Sequence, residues 1–147
     1  MDKLTQKYTK LVQALSTLEK AVFTHNLFIL ERKSYNPHLD YEEEERMLRD
    51  SMIQRFEYCT DLFWKYLKKN LEEKQLAPEI KTPAEVIRKS YASGMTSEED
   101  AEIIIDMIKD RNKTSHMYVE ELAEQLTKKI PHYYELMQRI TQKLTPA

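Results

Sequence analysis

Between Ile108 and Tyr118 the chain reads IKDRNKTSHMY, and here residue types suited to acid–base and phosphate chemistry crowd together. Lys109, Arg111, Lys113, His116 and Tyr118 stand among small polar side chains directly after an apolar run. Histidine exchanges a proton near neutral pH, and arginine offers a fixed positive charge to a phosphoryl oxyanion. At about 100° per residue, Arg111 and Tyr118 share one helix face and Asn112 and His116 another, so Arg111 and His116 diverge by roughly 140°. The two converge only if the helix breaks at Asn112–Ser115, or if a second chain supplies one of them. Asn112, Thr114 and Ser115 are weak helix formers packed close together, which makes a break or kink the expectation. A plainer assignment competes with this one: Arg111 caps a helix C-terminus, Ser115 caps the next helix, and His116 fills a polar notch.

The elements that must position this stretch are helical. From Asp2 to Arg32, Leu4, Tyr8, Leu11, Val12, Leu15, Leu18, Ala21 and Val22 recur at steps of three and four, one apolar stripe of an amphipathic helix. Asn36-Pro37 signals a turn, and Asp40 three residues before Glu43 is the pattern of a capping box. A long second helix is predicted to run to about Lys74, burying Met47, Phe56, Cys59, Phe63, Tyr66, Leu67 and Leu71, and to end at Ala77-Pro78. Thr82-Pro83-Ala84-Glu85 opens a short helix that stops at Ser93-Gly94. Thr96-Ser97 begins another, with Glu98, Glu99 and Asp100 at its positive end and Ile103, Ile104, Met107 and Ile108 facing inward. The last helix carries Val119, Leu122, Leu126, Ile130, Tyr133, Met137, Ile140 and Leu144, with a kink expected at Pro131.

Composition narrows the function. At 147 residues, one domain spanning 1–147 is the default, folded as an all-α up-and-down bundle of four main helices and a short one. A single glycine, Gly94, argues against Gly-rich phosphate loops and dinucleotide fingerprints. A net charge of −2 gives no overall pull toward nucleic acid or anionic membrane, so any such contact needs a local basic patch. The lone Cys59 and the lack of a signal peptide point to a reducing, cytoplasmic setting. The most apolar stretch, Ala21–Leu30, is too short to span a bilayer and reads as buried helix. His25, His38, His116 and His132 lack metal-ligand spacing, so neither a metal nor a cofactor is expected. The run Glu42–Glu45 reads as a solvated helix start.

The string RNKTSHMY (111–118) resembles the R-x4-H-x-Y signature of the HEPN superfamily, and specifically its small bacterial branch of nucleotidyltransferase substrate-binding proteins. RFEYCTDLFWKYLKKNL (55–71), with its R-F-E-Y opening and central Trp64, is similar to that branch's second helix. TPAEVIRKSYASGM (82–95) resembles its short proline-started helix, so the likeness covers nearly the whole chain. The resemblance implies a symmetric homodimer with the motif segments facing across a cleft, and a metal-independent endoribonuclease acting as the toxin of a toxin–antitoxin pair. It further implies an antitoxin partner, a minimal nucleotidyltransferase encoded nearby, that adds AMP to the motif tyrosine. Carried onto this chain, Arg111 and His116 are the catalytic candidates and Tyr118 the AMP acceptor. Asn112, Ser115, Lys109 and Lys113 are supporting residues, RNA is the substrate and no membrane is involved. The other function the resemblance allows is a non-catalytic subunit that binds a substrate for its nucleotidyltransferase.

Overall fold

The computed structural model describes residues 2–76, 79 and 82–147, and among these every regular element is helical. Helix α1 spans Lys3–Glu31, α2 Tyr41–Glu73, α3 Pro83–Ala92, α4 Glu98–Asn112 and α5 Glu120–Lys143, with a 3₁₀ turn at Thr114–His116. The starts of α1 to α4 are fixed by side chains that satisfy otherwise orphaned backbone amides. Asp2, Asp40, Thr82 and Ser97 each accept from the amide three residues on, and Glu43 completes a capping box with Asp40. Helix α3 ends where Gly94 adopts φ +81°, letting the Met95 amide reach back to the Ser90 carbonyl at 2.9 Å. The stop expected at Ala77-Pro78 lies outside the described residues.

Helix α1 packs chiefly on α2, α3 on α2 and α4, and α5 on α1, α2 and α4. Their shared core is built on Phe56, Phe63, Tyr66 and Leu67 of α2, with Leu11, Leu15 and Leu18 of α1 against them. Ile87, Ile104, Met107, Ile130, Met137 and Ile140 complete it from the other helices. Helix α5 runs on through Pro131. Cys59 sits in the core, where burial pushes its thiol up to about 12. No helix among the described residues is long and apolar enough to cross a membrane.

Several sequence expectations are overturned. The stretch Ala21–Leu30 is not buried helix: Phe23 is 66% and Leu30 80% exposed, and only His25 and Phe28 are buried there. His25 is tolerated inside because its Nε2 lies 2.7 Å from a Glu45 carboxylate oxygen. Met47, Val12, Ile103 and Val119 also face outward. The helices bury a narrower stripe than their apolar residues could fill, so the flanking positions of each stripe remain in solvent.

Nor is Glu42–Glu45 merely a solvated start. Glu44 is buried and accepts from the Ser34 hydroxyl at 2.6 Å and from the Tyr35 and Asn36 amides at 3.0 Å each. One carboxylate thus closes the α1–α2 connection. Glu44→Ala is expected to destabilise the protein by about 2 kcal/mol in urea unfolding, because three donors lose a charged acceptor together. Glu42→Ala, at an exposed position of the same turn, should stay within about 0.5 kcal/mol.

Candidate functional site

The chain breaks where weak helix formers accumulate, and the break is organised by one hydroxyl. Helix α4 ends at Asn112, and Thr114 Oγ1 donates to the Arg111 carbonyl at 2.8 Å. The same oxygen accepts from Arg111 Nη1 at 3.1 Å. The chain then makes its 3₁₀ turn, and the His116 amide reaches the Lys113 carbonyl at 2.9 Å. Helix α5 starts at Glu120 with Val119 in the N-cap position and no side-chain cap.

Arg111 turns toward α2 instead of capping α4. Its Nε and Nη2 donate to the two carboxylate oxygens of Asp61 at 3.0 and 3.1 Å, a bidentate fork. Glu57, one helical turn earlier, lies 3.6 Å from Nη1. The Asp61 hydrogen bond holds the Arg111 guanidinium above its ordinary pKa, so it carries a permanent charge of fixed orientation. Sequence reasoning missed Glu57 and Asp61. They stand four apart on α2, a spacing that aligns two carboxylates on one face but does not name the cation they meet.

His116 and Tyr118 lie beyond the break, both exposed, with ring centroids 6.3 Å apart in an edge arrangement. Tyr118 is 82% exposed, so it is not a core aromatic, and it precedes α5 instead of lying on it. Ser115 is exposed and does not cap α5.

Tyr118 lines a cleft of about 580 Å³ together with Arg46, Arg49, Glu57, Thr114 and Glu120. Arg49 is buried, pairs with Glu120 through Nη1 at 2.6 Å, and leaves its Nε without a hydrogen-bond partner. Burial is the largest single influence and opposes the Arg49 charge, but the Glu120 hydrogen bond and the nearby Glu120, Glu45 and Asp50 charges together outweigh it, so its pKa is raised. These two arginines, which no motif announced, are the basic side chains nearest the tyrosine's cleft. Lys109 and Asn112 instead line a smaller cleft of about 200 Å³ against Thr82, Pro83 and Ala84 at the start of α3. Lys113 is exposed at the α4 C-cap. The seven candidate residues therefore divide within one chain: Arg111 and Tyr118 turn toward α2, whereas Lys109 and Asn112 turn toward α3. No group of three or more His, Cys, Asp or Glu side chains among the described residues is arranged to hold a metal ion.

Fold and site together define a five-helix protein whose Arg-x4-His-x-Tyr turn is braced on its second helix. The chain belongs to the family described as "Nucleotidyltransferase substrate binding protein like", which it matches over residues 6–146, in agreement with the HEPN resemblance of its sequence. A Thermus thermophilus protein of known crystal structure is 32% identical, with a TM-score of 0.73, the match covering 92% of this chain and 99% of that one. A toxin–antitoxin crystal structure with AMP-PNP contains a chain of the same fold, with TM-score 0.63 and 11% identity over 97% of this chain and 98% of that one. No curated protein sequence is significantly similar to the chain.

The Arg111–Asp61 pair is partly exposed on both sides, so its contribution to stability is small and its effect is to aim the guanidinium. Asp61→Asn is accordingly expected to lower unfolding stability by less than about 1 kcal/mol in urea. A loss of several kcal/mol would make the pair a structural clamp.

Proposed function

We propose that the chain is a metal-independent endoribonuclease toxin held in check by a minimal nucleotidyltransferase partner that modifies Tyr118. One observation carries the reading: Arg111 is fixed by Asp61 and Thr114, while His116 and Tyr118 stand exposed on the irregular turn that follows it. RNA cleavage by its own 2′-OH requires a base for that hydroxyl, an acid for the departing 5′-oxygen and positive charge on the phosphorane. His116 suits the proton transfers near neutral pH and Arg111 the charge. One chain offers one motif histidine, so a symmetric homodimer supplies base and acid from two copies. Ribonuclease activity should survive EDTA. Arg111→Ala and His116→Ala should each lower it by at least about a hundredfold with the helical circular dichroism unchanged. Activity lost on chelation and restored by magnesium would overturn these roles.

For silencing, the Tyr118 oxygen attacks the α-phosphorus of ATP held by the partner. The bond to pyrophosphate breaks, the phenol proton passes to solvent, and a tyrosyl-AMP phosphodiester remains. Its negative charge would lie beside Arg46 and Arg49, and its bulk beside Glu57 and Thr114, two of the groups that contact Arg111. Incubation with the adjacent nucleotidyltransferase, ATP and magnesium should raise the mass by whole AMP units on the peptide containing Tyr118. Tyr118→Phe should abolish the gain and keep the ribonuclease. The second reading, a non-catalytic subunit presenting a substrate to the nucleotidyltransferase, is favoured by the family description itself. Under it, expression without the partner leaves growth and RNA intact.

A further inference from the structure

The C-terminal half of α2 carries a basic groove that the Arg111 site does not use. Lys3 and Lys7 of α1 face Lys65, Lys68 and Lys69 of α2 across a groove of about 410 Å³, with Trp64 in its wall and Glu72 its one carboxylate. Among the described residues only Lys69 of these five is ion-paired, with Glu72 at 3.7 Å and Glu73 at 3.5 Å. Gathering five ammonium groups on a chain of net charge −2 costs repulsion, which a polyanion relieves. Trp64 is partly buried, its ring packed against the core, and Lys65 Nζ lies 5.9 Å from its centroid. The ring is therefore held in place beside a cation.

The register of α2 links this groove to the motif. Glu57, Asp61, Trp64 and Lys68 follow one another at steps of four, three and four, along one helix face. Trp64 lies about 4.5 Å beyond Asp61 along the helix axis and Lys68 about 10 Å beyond it, within reach of a few nucleotides. We propose that the groove binds single-stranded RNA, with a base stacked on Trp64 and the flanking phosphates held by the lysines. In this arrangement it seats the nucleotides next to the bond cut at Arg111 and His116, a step that rests on the ribonuclease reading. An aromatic ring set among lysines is the combination that single-stranded nucleic acid takes, whereas an acidic protein face needs the charge alone.

Trp64 is the only tryptophan of the chain, so its emission reports on this groove alone. Titrating the His116→Ala protein with a short single-stranded oligoadenylate should quench that emission saturably. Lys65→Gln combined with Lys68→Gln should weaken binding of labelled RNA roughly tenfold and reduce the log–log salt slope by about 1.4, while leaving the packing of Trp64 in place. Trp64→Phe should weaken it by a similar factor. Unchanged emission at saturating RNA, with the lysine variants binding as the parent does, would overturn the proposal. So would lysine variants that bind RNA normally but no longer associate with the nucleotidyltransferase, for the groove then belongs to a protein partner. Saturable quenching in a protein whose wild-type form cleaves no RNA keeps the groove and removes the ribonuclease reading. His116-dependent cleavage without quenching does the reverse.

Discussion

The geometry of the motif depends on a single contact set, the two-sided hold of Thr114 on Arg111. Its hydroxyl donates to the Arg111 carbonyl, which ends α4, and accepts from the Arg111 guanidinium, which is thereby swung onto α2. On an unbroken helix Arg111 and His116 would point apart by roughly 140°. Ending the helix between them removes that constraint and leaves His116 and Tyr118 exposed on the turn that follows. A small hydroxyl residue in a run of weak helix formers is thus the reason the catalytic candidates are not spread around a cylinder.

Helix α2 is the reference frame against which this turn is held. It tethers the segment at both ends: Asp61 grips Arg111 before the turn, and Arg49 grips Glu120 after it. The second tether matters because α5 begins without a side-chain cap, so its first residue is fixed by an ion pair to α2 and not by its own N-cap. The two pairs differ in energetics. Arg111 and Asp61 are both partly exposed, and their pairing orients more than it stabilises. Arg49 is buried, so removing Glu120 would leave an interior charge without its best partner. Phe56 and Phe63 of the same helix, buried in the core on its Arg49 side, anchor α2 against the rest of the bundle.

Much of this was legible in the sequence where local chemistry decides the outcome. Asp40 with Glu43, Thr82 with Pro83, Ser97 with its acidic first turn, and Gly94 each name a helix boundary through the backbone group they satisfy. The end of α1 at Arg32 was legible too, although Arg32 takes the left-handed conformation (φ 52°) that glycine usually supplies. Periodicity located the apolar stripes but not their width, which packing sets; hence Phe23, Leu30 and Met47 emerge in solvent. Long-range partners left no sequence signal. Glu44, Glu45, Glu57 and Asp61 look like ordinary surface acids until the fold brings Ser34, His25 and Arg111 to them. The motif residues could be named from the sequence, whereas the groups that aim them could not.

Electrostatics then constrain how such a site could work on a polyanion. Asp61 and Glu57 offset the charge of Arg111, so in the resting protein this guanidinium is a poor attractor of phosphate at a distance. Its value lies at close range, where a rigid fork meets developing negative charge without reorganising. Attraction must therefore come from cations that are less compensated. Arg46 lies beside the tyrosine's cleft, 4.0 Å from Glu120, and some turns further along α2 Lys65, Lys68 and Lys69, with Lys3 and Lys7 of α1, surround Trp64. Separating the groups that gather a polyanion from the group that acts on it lets the acidic brace on Arg111 persist without repelling the substrate. It also explains how a chain with slightly more acids than bases can retain a nucleic-acid function under the proposed reading. Helix α2 carries basic groups on either side of Asp61, with Arg46 and Arg49 before it, Lys65, Lys68 and Lys69 after it, and the acidic brace of Glu57 and Asp61 between them.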